Sequence, residues 1–580
     1  MKKIKIKINN KEILCSPDKT IMAAAKENGV DIPGLCGHAD FAPKTTCRIC
    51  AVEVKGQGKL IMSCREKVFA GMEVRTDTDR VKESRNLNIE LIFAEHIEKC
   101  PDCIWNVNCA LLNLAEKYKV DIKRFPDRKQ DRKIHKFGNA VEIDGTQCID
   151  CRNCVDACSI LQNINYLELK GKSTNQEMVP VKDKKIDCIY CGQCAVHCPV
   201  GSAQEQTQWE MVEKILDKQS SIAGSRGKKI IVAQFAPSIR VSIGEEFKLP
   251  HGKIMTGQVV AGLQKLGFNY IFDVNFGADI TTMVEAEELI ERLKNKGVLP
   301  MITSCCPGWV KYAEFYHPEL IPNLTTARSP HIHLAGVVKT YWDRIMNINP
   351  KDIVVVSVMP CTAKKYEAIR PELKVNGLNP VDYVLTTREF AYLLKKNNIK
   401  FSGLKPAKAD NPLGEYTGAA AIYGGSGGVM ESALRTAHAF ICDKKTKGAC
   451  LPKVDFKQAR GLEAVKEATV NVGGKKLRIA VVNGIGQVEP IIENLKNYDY
   501  IEVMACPGGC IGGGGQPIPT NQEIRQKRIE ALYKIDKKQK LRKAHENKSV
   551  LEVLAWLKGQ KGHLEHKVLH TSYKRKKRGG

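Results

Sequence analysis

Cysteine is the residue type here with the most chemistry to offer, and its placement is uneven. Sixteen of the 23 cysteines precede residue 200, and five of the other seven fall in three short runs far apart. Disulfide frameworks belong to small secreted chains. This chain has 580 residues and begins Met1-Lys2-Lys3-Ile4-Lys5-Ile6-Lys7, with no apolar signal core, so the thiols are expected in a reducing cytoplasm, as metal ligands. Cys36, Cys47, Cys50 and Cys64 are spaced C-x10-C-x2-C-x13-C, a close pair with two distant partners that suits one 2Fe-2S cluster; four thiolates also make a tetrahedral zinc site. His96, Cys100, Cys103 and Cys109 offer one imidazole and three thiolates within fourteen residues, a set for zinc or a 4Fe-4S cluster. Its place between two iron-sulfur modules favours the cluster, because redox-inert zinc would interrupt an electron wire.

Next come Cys148-x2-Cys151-x2-Cys154-x3-Cys158 and Cys188-x2-Cys191-x2-Cys194-x3-Cys198-Pro199, an internal duplication. In two-cluster ferredoxins the fourth cysteine of each run crosses to the other cluster. One 4Fe-4S cube is therefore expected on Cys148, Cys151, Cys154 and Cys198, the other on Cys188, Cys191, Cys194 and Cys158. Gly145 and Gly192 lie beside these runs, where a compact residue lets backbone approach closely.

Positioning these ligands requires small modules ahead of a larger body. Residues 1–78 read as a β-rich 2Fe-2S domain: strands around a turn at Asn9-Asn10, a helix over 20–28, and strands near 51–54 and 73–76. Cys15 on that hairpin reads as a packed thiol. A helix over 80–97 opens the domain of the one histidine and three cysteines, residues 79–125; the two-cluster domain covers 138–208. A low-complexity link at 220–229 leads to a body, 229–520, of apolar strands at 230–235, 270–274, 300–303, 353–358, 477–483 and 500–504 alternating with amphipathic helices. That pattern predicts α/β architecture with covered, largely parallel sheets and function at strand ends. Three cysteine runs fall at such ends: Thr303-Ser304-Cys305-Cys306-Pro307-Gly308-Trp309, Met359-Pro360-Cys361-Thr362-Ala363-Lys364-Lys365, and the stretch from Glu502 through Met504, Cys506-Pro507-Gly508-Gly509-Cys510 to Gln516.

With these three runs the sequence closely resembles the iron-only (FeFe) hydrogenases over almost its whole length. The resemblance implies an α/β catalytic body carrying the H-cluster, preceded by small α+β iron-sulfur modules: a 2Fe-2S β-grasp ferredoxin-like domain, a 4Fe-4S domain with one histidine and three cysteine ligands, and a 2×4Fe-4S ferredoxin-like domain. The front modules match the family's long form, itself similar to the electron-input subunit of respiratory complex I. By that resemblance Cys306, Cys361, Cys506 and Cys510 hold a 4Fe-4S cube, and Cys510 bridges it to a two-iron unit with carbonyl, cyanide and a bridging amine-dithiolate. Three accessory 4Fe-4S clusters and one 2Fe-2S cluster complete the set. Lys364, Pro237 and Ser238 correspond to groups that bind the cyanides, and Met359 and Met504 to methionines against the two-iron unit. Cys305 corresponds to the thiol that relays protons, continued by Glu285, Thr325, Glu288 and Arg292. Glu285 and Glu288 stand three apart on a helix expected over 281–296; from the residues alone they read as a solvated face. Thr325 stands where the family commonly has serine, and His331 where glutamine is common.

The implied activity is the reversible interconversion of hydrogen with protons and electrons in the cytoplasm, with ferredoxin as electron donor or acceptor, after maturation proteins have installed the two-iron unit. A second reading makes the chain the catalytic subunit of a multimeric NAD(P)-linked, electron-bifurcating hydrogenase with an NAD(P)H-oxidising flavoprotein subunit; Ser329-Pro330-His331 and the 528–547 region look similar to that group. A third is a non-catalytic hydrogenase-like sensor or iron-sulfur assembly protein, against which Cys305, Cys510 and the Glu285-Glu288 pair argue. Gly484-Ile485-Gly486-Gln487-Val488-Glu489 has Glu489 where a dinucleotide fingerprint has its third glycine, so pyridine nucleotide requires another subunit. Net charge is +26, with one dense run at Lys574-Arg575-Lys576-Lys577-Arg578 in the C-terminal small-subunit-like segment, residues 521–580. The run reads as a solvated tail, and the excess charge as steering for an acidic electron carrier, since no nucleic-acid-binding signature accompanies it. No apolar stretch reaches the roughly 20 residues needed to span a bilayer. Cys442 and Cys450, flanking a lysine-rich segment, read as loop thiols.

Overall fold

The computed structural model describes residues 3–94, 96, 100, 103–105, 109–127, 129–172, 175–221, 229–445 and 455–579. Alternation in the first strand, Ile4–Ile8, turns Ile6 and Ile8 inward and the lysines outward. Asn9 and Asn10, at φ 48° and 68°, make the two-residue turn into Lys11–Cys15. Glu73–Arg75 pairs parallel to Ile4–Ile8 in the middle of a five-stranded sheet, and the Thr20-capped helix Ile21–Glu27 buries Ile21, Ala24 and Ala25. Cys15 is 3% exposed in this core. The next helix is Asp79–Ala94; Ile97, to which it was expected to run, lies outside the described residues. Its buried Arg85 donates to Ile49 O, Ala51 O and Thr76 O and to the Tyr118 hydroxyl, tying the first two modules together.

The body has two four-stranded sheets. One runs Tyr270–Asp273, Ile230–Phe235, Ile353–Met359, Tyr383–Thr386, all parallel; the other runs Met301–Ile302, Tyr500–Met504, Lys475–Asn483, Val465–Val472, with only the last pair antiparallel. The central strands are buried on both faces, the pattern of covered parallel sheets. Two strands, Tyr383–Thr386 and Val465–Val472, were not anticipated.

The helix carrying the two glutamates is Val274–Lys294, nearly two turns longer at its start than the sequence suggested. Asp273 caps it, accepting from Asn275 N at 3.0 Å while pairing with the buried Arg240. Residues 274–286 are buried all round, so no polar edge marks the start. A Cβ on Gly277 would stand 2.1 Å from Pro330 O, which is how the helix Pro330–Val337 packs so closely against it. Cys442 lies within helix Gly428–Lys445 and is not a loop thiol, because the helix continues past the buried Ile441; Cys450 lies outside the described residues, as do positions 222–228 of the link.

The C-terminal segment forms helices Gln522–Lys538, Lys548–Lys558 and Leu564–Leu569 against the body. Its final basic run is a strap and not a free tail. Lys574 N donates to Glu314 Oε1 at 3.2 Å, Lys576 N to Glu314 O at 3.0 Å, and the Arg578 guanidinium to the carbonyls of Val181 and Asp183. Backbone amides on the buried Glu314 and the Arg578 side chain on the two-cluster module tie down a segment that composition alone makes look solvated.

Candidate active site and its electron and proton paths

One largely apolar cavity lies between the two sheets of the body, at the carboxyl ends of their strands, the place where α/β folds bind ligands. Ala236 and Pro237 follow Ile230–Phe235, Pro360 and Cys361 follow Ile353–Met359, and Ala505 and Cys506 follow Tyr500–Met504; Met359 and Met504 are the last residues of their strands. Cys306, Cys361, Cys506 and Cys510 all line it, with Met359, Met504, Pro237, Cys305 and Lys364. The glycine loop that carries Cys510 sits against the second cysteine run: a Cβ on Gly513 would lie 2.3 Å from Pro360 O. Burial pushes the Cys361 and Cys510 thiols up to about 12, so these sulfurs become thiolates only with a cation to hold, as iron does. Ser238 is buried, its Oγ without a hydrogen-bond partner, one residue beyond the lining Pro237.

Lys364 brings an ammonium into this lining. Its Nζ donates to Cys305 O at 3.1 Å and to Glu367 Oε2 at 2.6 Å, and the same oxygen accepts from His331 Nε2 at 2.7 Å. Burial opposes both charges of the Lys364-Glu367 pair. The Glu367 carboxylate nevertheless keeps the Lys364 pKa raised, and Lys364, with His331 beside it, holds Glu367 down at about 2. Burial, with Lys364 adding to it, lowers His331 to about 4 and keeps it neutral. Glu367 escaped the sequence reading, although its place three residues after Lys364 on a helix is a usable signal.

Four soft sulfurs, an apolar wall, one ammonium and one orphaned hydroxyl suit an iron-sulfur cube joined to a unit bearing carbonyl and anionic cyanide, so the residues present fit the H-cluster.

The side chains expected on the proton path fall behind the cavity wall. Glu285 is buried; its Oε1 accepts from the Tyr500 hydroxyl at 2.9 Å, and its Oε2 has no hydrogen-bond partner. Burial pushes it up to about 8, with Glu288 and Glu502 adding to the effect against the Tyr500 bond. Thr325 Oγ1 donates to Glu288 Oε2 at 2.8 Å, and Arg292 Nε and Nη2 donate to Glu288 Oε1 at 3.1 and 2.5 Å. The Glu285-Glu288 face is therefore buried or paired, contrary to the solvated face that its residues alone suggest. Tyr500, more than 200 residues away, left no local signal.

On the electron side the duplicated runs are brought together as the crossing rule anticipates. Cys198 is an electrostatic neighbour of Cys148, Cys151 and Cys154, and Cys158 of Cys188, Cys191 and Cys194. Matching amides point at matching sulfurs: Asp150 N to Cys148 and Tyr190 N to Cys188, both 3.4 Å, and Ala203 N to Cys198 and Tyr166 N to Cys158, at 3.4 and 3.3 Å. Such bonds tune cluster potential. Gly192, at φ 69°, is needed for contact with the body: a Cβ there would lie 2.4 Å from Thr362 Oγ1. Next to it, Cys506 Sγ stands 3.8 Å from Cys191 O, joining the two-cluster module to the main cavity. Cys36, Cys47, Cys50 and Cys64 line one separate cavity. His96 is buried with Nδ1 on Gln147 O at 2.8 Å, which makes Nε2 the lone-pair nitrogen for a metal. Its expected partners Cys100, Cys103 and Cys109 are described, while 97–99, 101–102 and 106–108 are not.

Comparison with known proteins accords with this arrangement. Residues 229–514 match the family model for the iron-only hydrogenase large subunit, C-terminal domain, and residues 522–576 that for the iron hydrogenase small subunit. Residues 1–79 match a 2Fe-2S iron-sulfur cluster binding domain, 85–124 the NADH-ubiquinone oxidoreductase-G iron-sulfur binding region, and 147–202 a 4Fe-4S dicluster domain. The chain is 37% identical to the NADP-reducing hydrogenase subunit HndD of Solidesulfovibrio fructosivorans over 100% of both chains, and 39% identical to iron hydrogenase 1 of Clostridium pasteurianum over 98% of this chain and 99% of that one. A solved structure of apo FeFe-hydrogenase HydA1 from Chlamydomonas reinhardtii superposes with a TM-score of 0.55 at 37% identity, covering 63% of this chain and 98% of that one. No helix among the described residues is long and apolar enough to cross a membrane.

Proposed function

Because this chain belongs to the iron-only hydrogenase family, we propose that it interconverts hydrogen with two protons and two electrons in either direction, with ferredoxin as its electron partner. The observation that carries the reading is the convergence of four cysteines, Lys364 and Cys305 on one apolar cavity. When bound, the H-cluster supplies an open iron and a bridging amine that together take hydrogen apart or assemble it.

The chain's own residues do the rest. Cys306, Cys361, Cys506 and Cys510 would hold the cube, and Lys364, fixed by Glu367 and Cys305 O, would with Ser238 supply the polar groups for the anionic cyanides. Cys305 would be the first proton-carrying group at the cavity wall; Glu285, buried and pushed up to about 8, gives and takes a proton readily near neutral pH, and Thr325 and Glu288 would carry protons outward. Met359 and Met504 exclude water from the reacting face. The front and two-cluster modules would hold the clusters that supply electron transfer, and the Cys191-Cys506 contact joins them to the cavity.

A second reading, the catalytic subunit of a multimeric NAD(P)-linked hydrogenase, is supported by the full-length similarity to HndD. The loop at Gly484-Ile485-Gly486 leaves the nucleotide to another subunit: a Cβ on Gly486 would sit 2.4 Å from Leu161 O, so the loop is packed against the two-cluster module. The test is hydrogen evolution by anaerobically purified, matured protein with reduced methyl viologen, then with reduced ferredoxin, and then with NADPH and a flavoprotein subunit. Silence with methyl viologen despite infrared bands of bound carbonyl and cyanide would sink the catalytic reading.

A further inference from the structure

Glu288 accepts more than the relay above uses. Its Oε2 takes hydrogen bonds from Thr325 Oγ1 at 2.8 Å, Thr326 N at 2.9 Å and Thr326 Oγ1 at 2.9 Å. The Thr326 hydroxyl in turn lies 2.8 Å from Nδ1 of His570, at the end of helix Leu564–Leu569 in the C-terminal segment. His570 is fixed there. Its carbonyl accepts Arg328 Nε at 2.8 Å, the next amide, Thr571 N, donates to Thr326 O at 2.8 Å, and its ring stacks on His566 at 5.2 Å. It lines an open cavity of about 450 Å³ together with Glu287, Glu291, Arg292 and Glu565.

Arg292 cannot serve as the outermost carrier. Its guanidinium donates to both Glu288 and the carbonyls of Val298, Pro322, Asn323 and Leu324, and guanidinium keeps its proton at any working pH. It anchors Glu288 and leaves the proton to another group.

We propose that His570 is the port through which protons enter and leave the relay, handing them to Glu288 through the Thr326 hydroxyl, so that the C-terminal segment completes the proton path of the body. This rests on the hydrogenase reading. With Glu288 ionised, Thr326 O–H points at Oε2 and its oxygen accepts His570 Nδ1–H. A hydronium ion or buffer acid in the cavity gives its proton to Nε2, leaving water or the buffer base. The Nδ1 proton then moves to Thr326 Oγ1 as the hydroxyl proton moves to Glu288, leaving a neutral imidazole protonated on Nε2, a hydroxyl turned toward Nδ1 and a neutral Glu288. Exchange with cavity water restores the starting tautomer, and the reverse sequence exports a proton. Burial and then His566 lower the imidazole's pKa, joined by Arg328 and opposed by Glu288 and Glu565, which favours release of the inward-going proton.

Hydrogen evolution by matured wild type, His570→Ala and Thr326→Val, followed against pH at low buffer concentration, tests this. Both variants should fall about tenfold, below the usual range for a lost acid-base group because water also reaches Glu288. Added imidazole should restore His570→Ala and not Thr326→Val, with the infrared bands of the two-iron unit unchanged in each. In wild type not yet loaded with the two-iron unit, diethyl pyrocarbonate should label His570, read by mass spectrometry. Unchanged turnover in His570→Ala, a loss that imidazole leaves in place, or an unlabelled His570 would overturn the port. A silent wild type that carries the carbonyl and cyanide bands would instead remove the hydrogenase reading and the port with it.

Discussion

Replacing Glu285 with glutamine separates the proton carried by this side chain from its shape, and predicts opposite effects on activity and stability. Glutamine keeps an oxygen for the Tyr500 hydroxyl and places a neutral NH2 where Oε2 has no partner, so it imitates the protonated acid. Burial holds the carboxyl near 8, against 4.5 when unfolded. Between those values the folded state keeps a proton that the unfolded state has lost, so wild-type stability falls as pH rises, by about 1.4 kcal/mol per pH unit, and levels off above about 8. The variant lacks this slope. Its advantage in denaturant unfolding, measured on protein with equal cluster content, should grow from about 1 kcal/mol near pH 5.5 to about 5 kcal/mol near pH 8.5. Hydrogen evolution should fall by about 10²- to 10⁴-fold, the usual contribution of a positioned acid-base group, with carbonyl and cyanide bands unmoved. A pH-independent stability difference would show that Glu285 titrates normally; retention of more than about a tenth of the activity would place the relay elsewhere.

Three further outcomes follow from other contacts. Cys305→Ser should keep full iron content and the infrared bands while losing nearly all hydrogen evolution, since Cys305 is placed beside the ligands and not among them; loss of iron would make it a ligand. Glu367→Gln leaves the Lys364 ammonium buried without its carboxylate, which should cost about 3–5 kcal/mol and shift the cyanide bands, and it removes the wild type's loss of stability as pH falls from 4.5 toward 2; unmoved bands would free Lys364 from any role at the cyanides. Gly192→Ala places a Cβ at φ 69° against Thr362 and Gly514, so clusters should still form while ferredoxin-driven evolution falls more than methyl-viologen-driven evolution; equal loss with both donors would put the damage in the main cavity.

What was legible in the sequence is what short-range geometry dictates. Cluster ligands crowd one small object, so their spacing is local, and the three cysteine runs stand at strand ends that apolar runs already marked. Contacts between distant segments left no such trace: Tyr500 reaches Glu285 across 215 residues and His570 reaches Thr326 across 244. The start of helix Val274–Lys294 was hidden by burial on every face, and strand Val465–Val472 by its lysine, glutamate and asparagine at the antiparallel edge of its sheet. The basic run misled because composition reports charge and not backbone pairing with Glu314.

In the proposed function the electron and proton paths meet at the two adjacent cysteines of the first run. A site buried this deeply cannot hold an uncompensated charge without a cost of several kcal/mol, so each arriving electron needs a proton close behind it. In the proposed function electrons come from the two-cluster module, where Cys191 O lies 3.8 Å from Cys506 Sγ, and protons come along helix Val274–Lys294, which carries Glu285 and Glu288. Both Cys305 and Cys306 line the cavity; in the proposed function Cys306 is a sulfur for the cube and Cys305 the first thiol of the relay. Setting them next to each other in the chain makes the distance between the arriving electron and the arriving proton a fixed backbone length, independent of how the front modules or the C-terminal segment move.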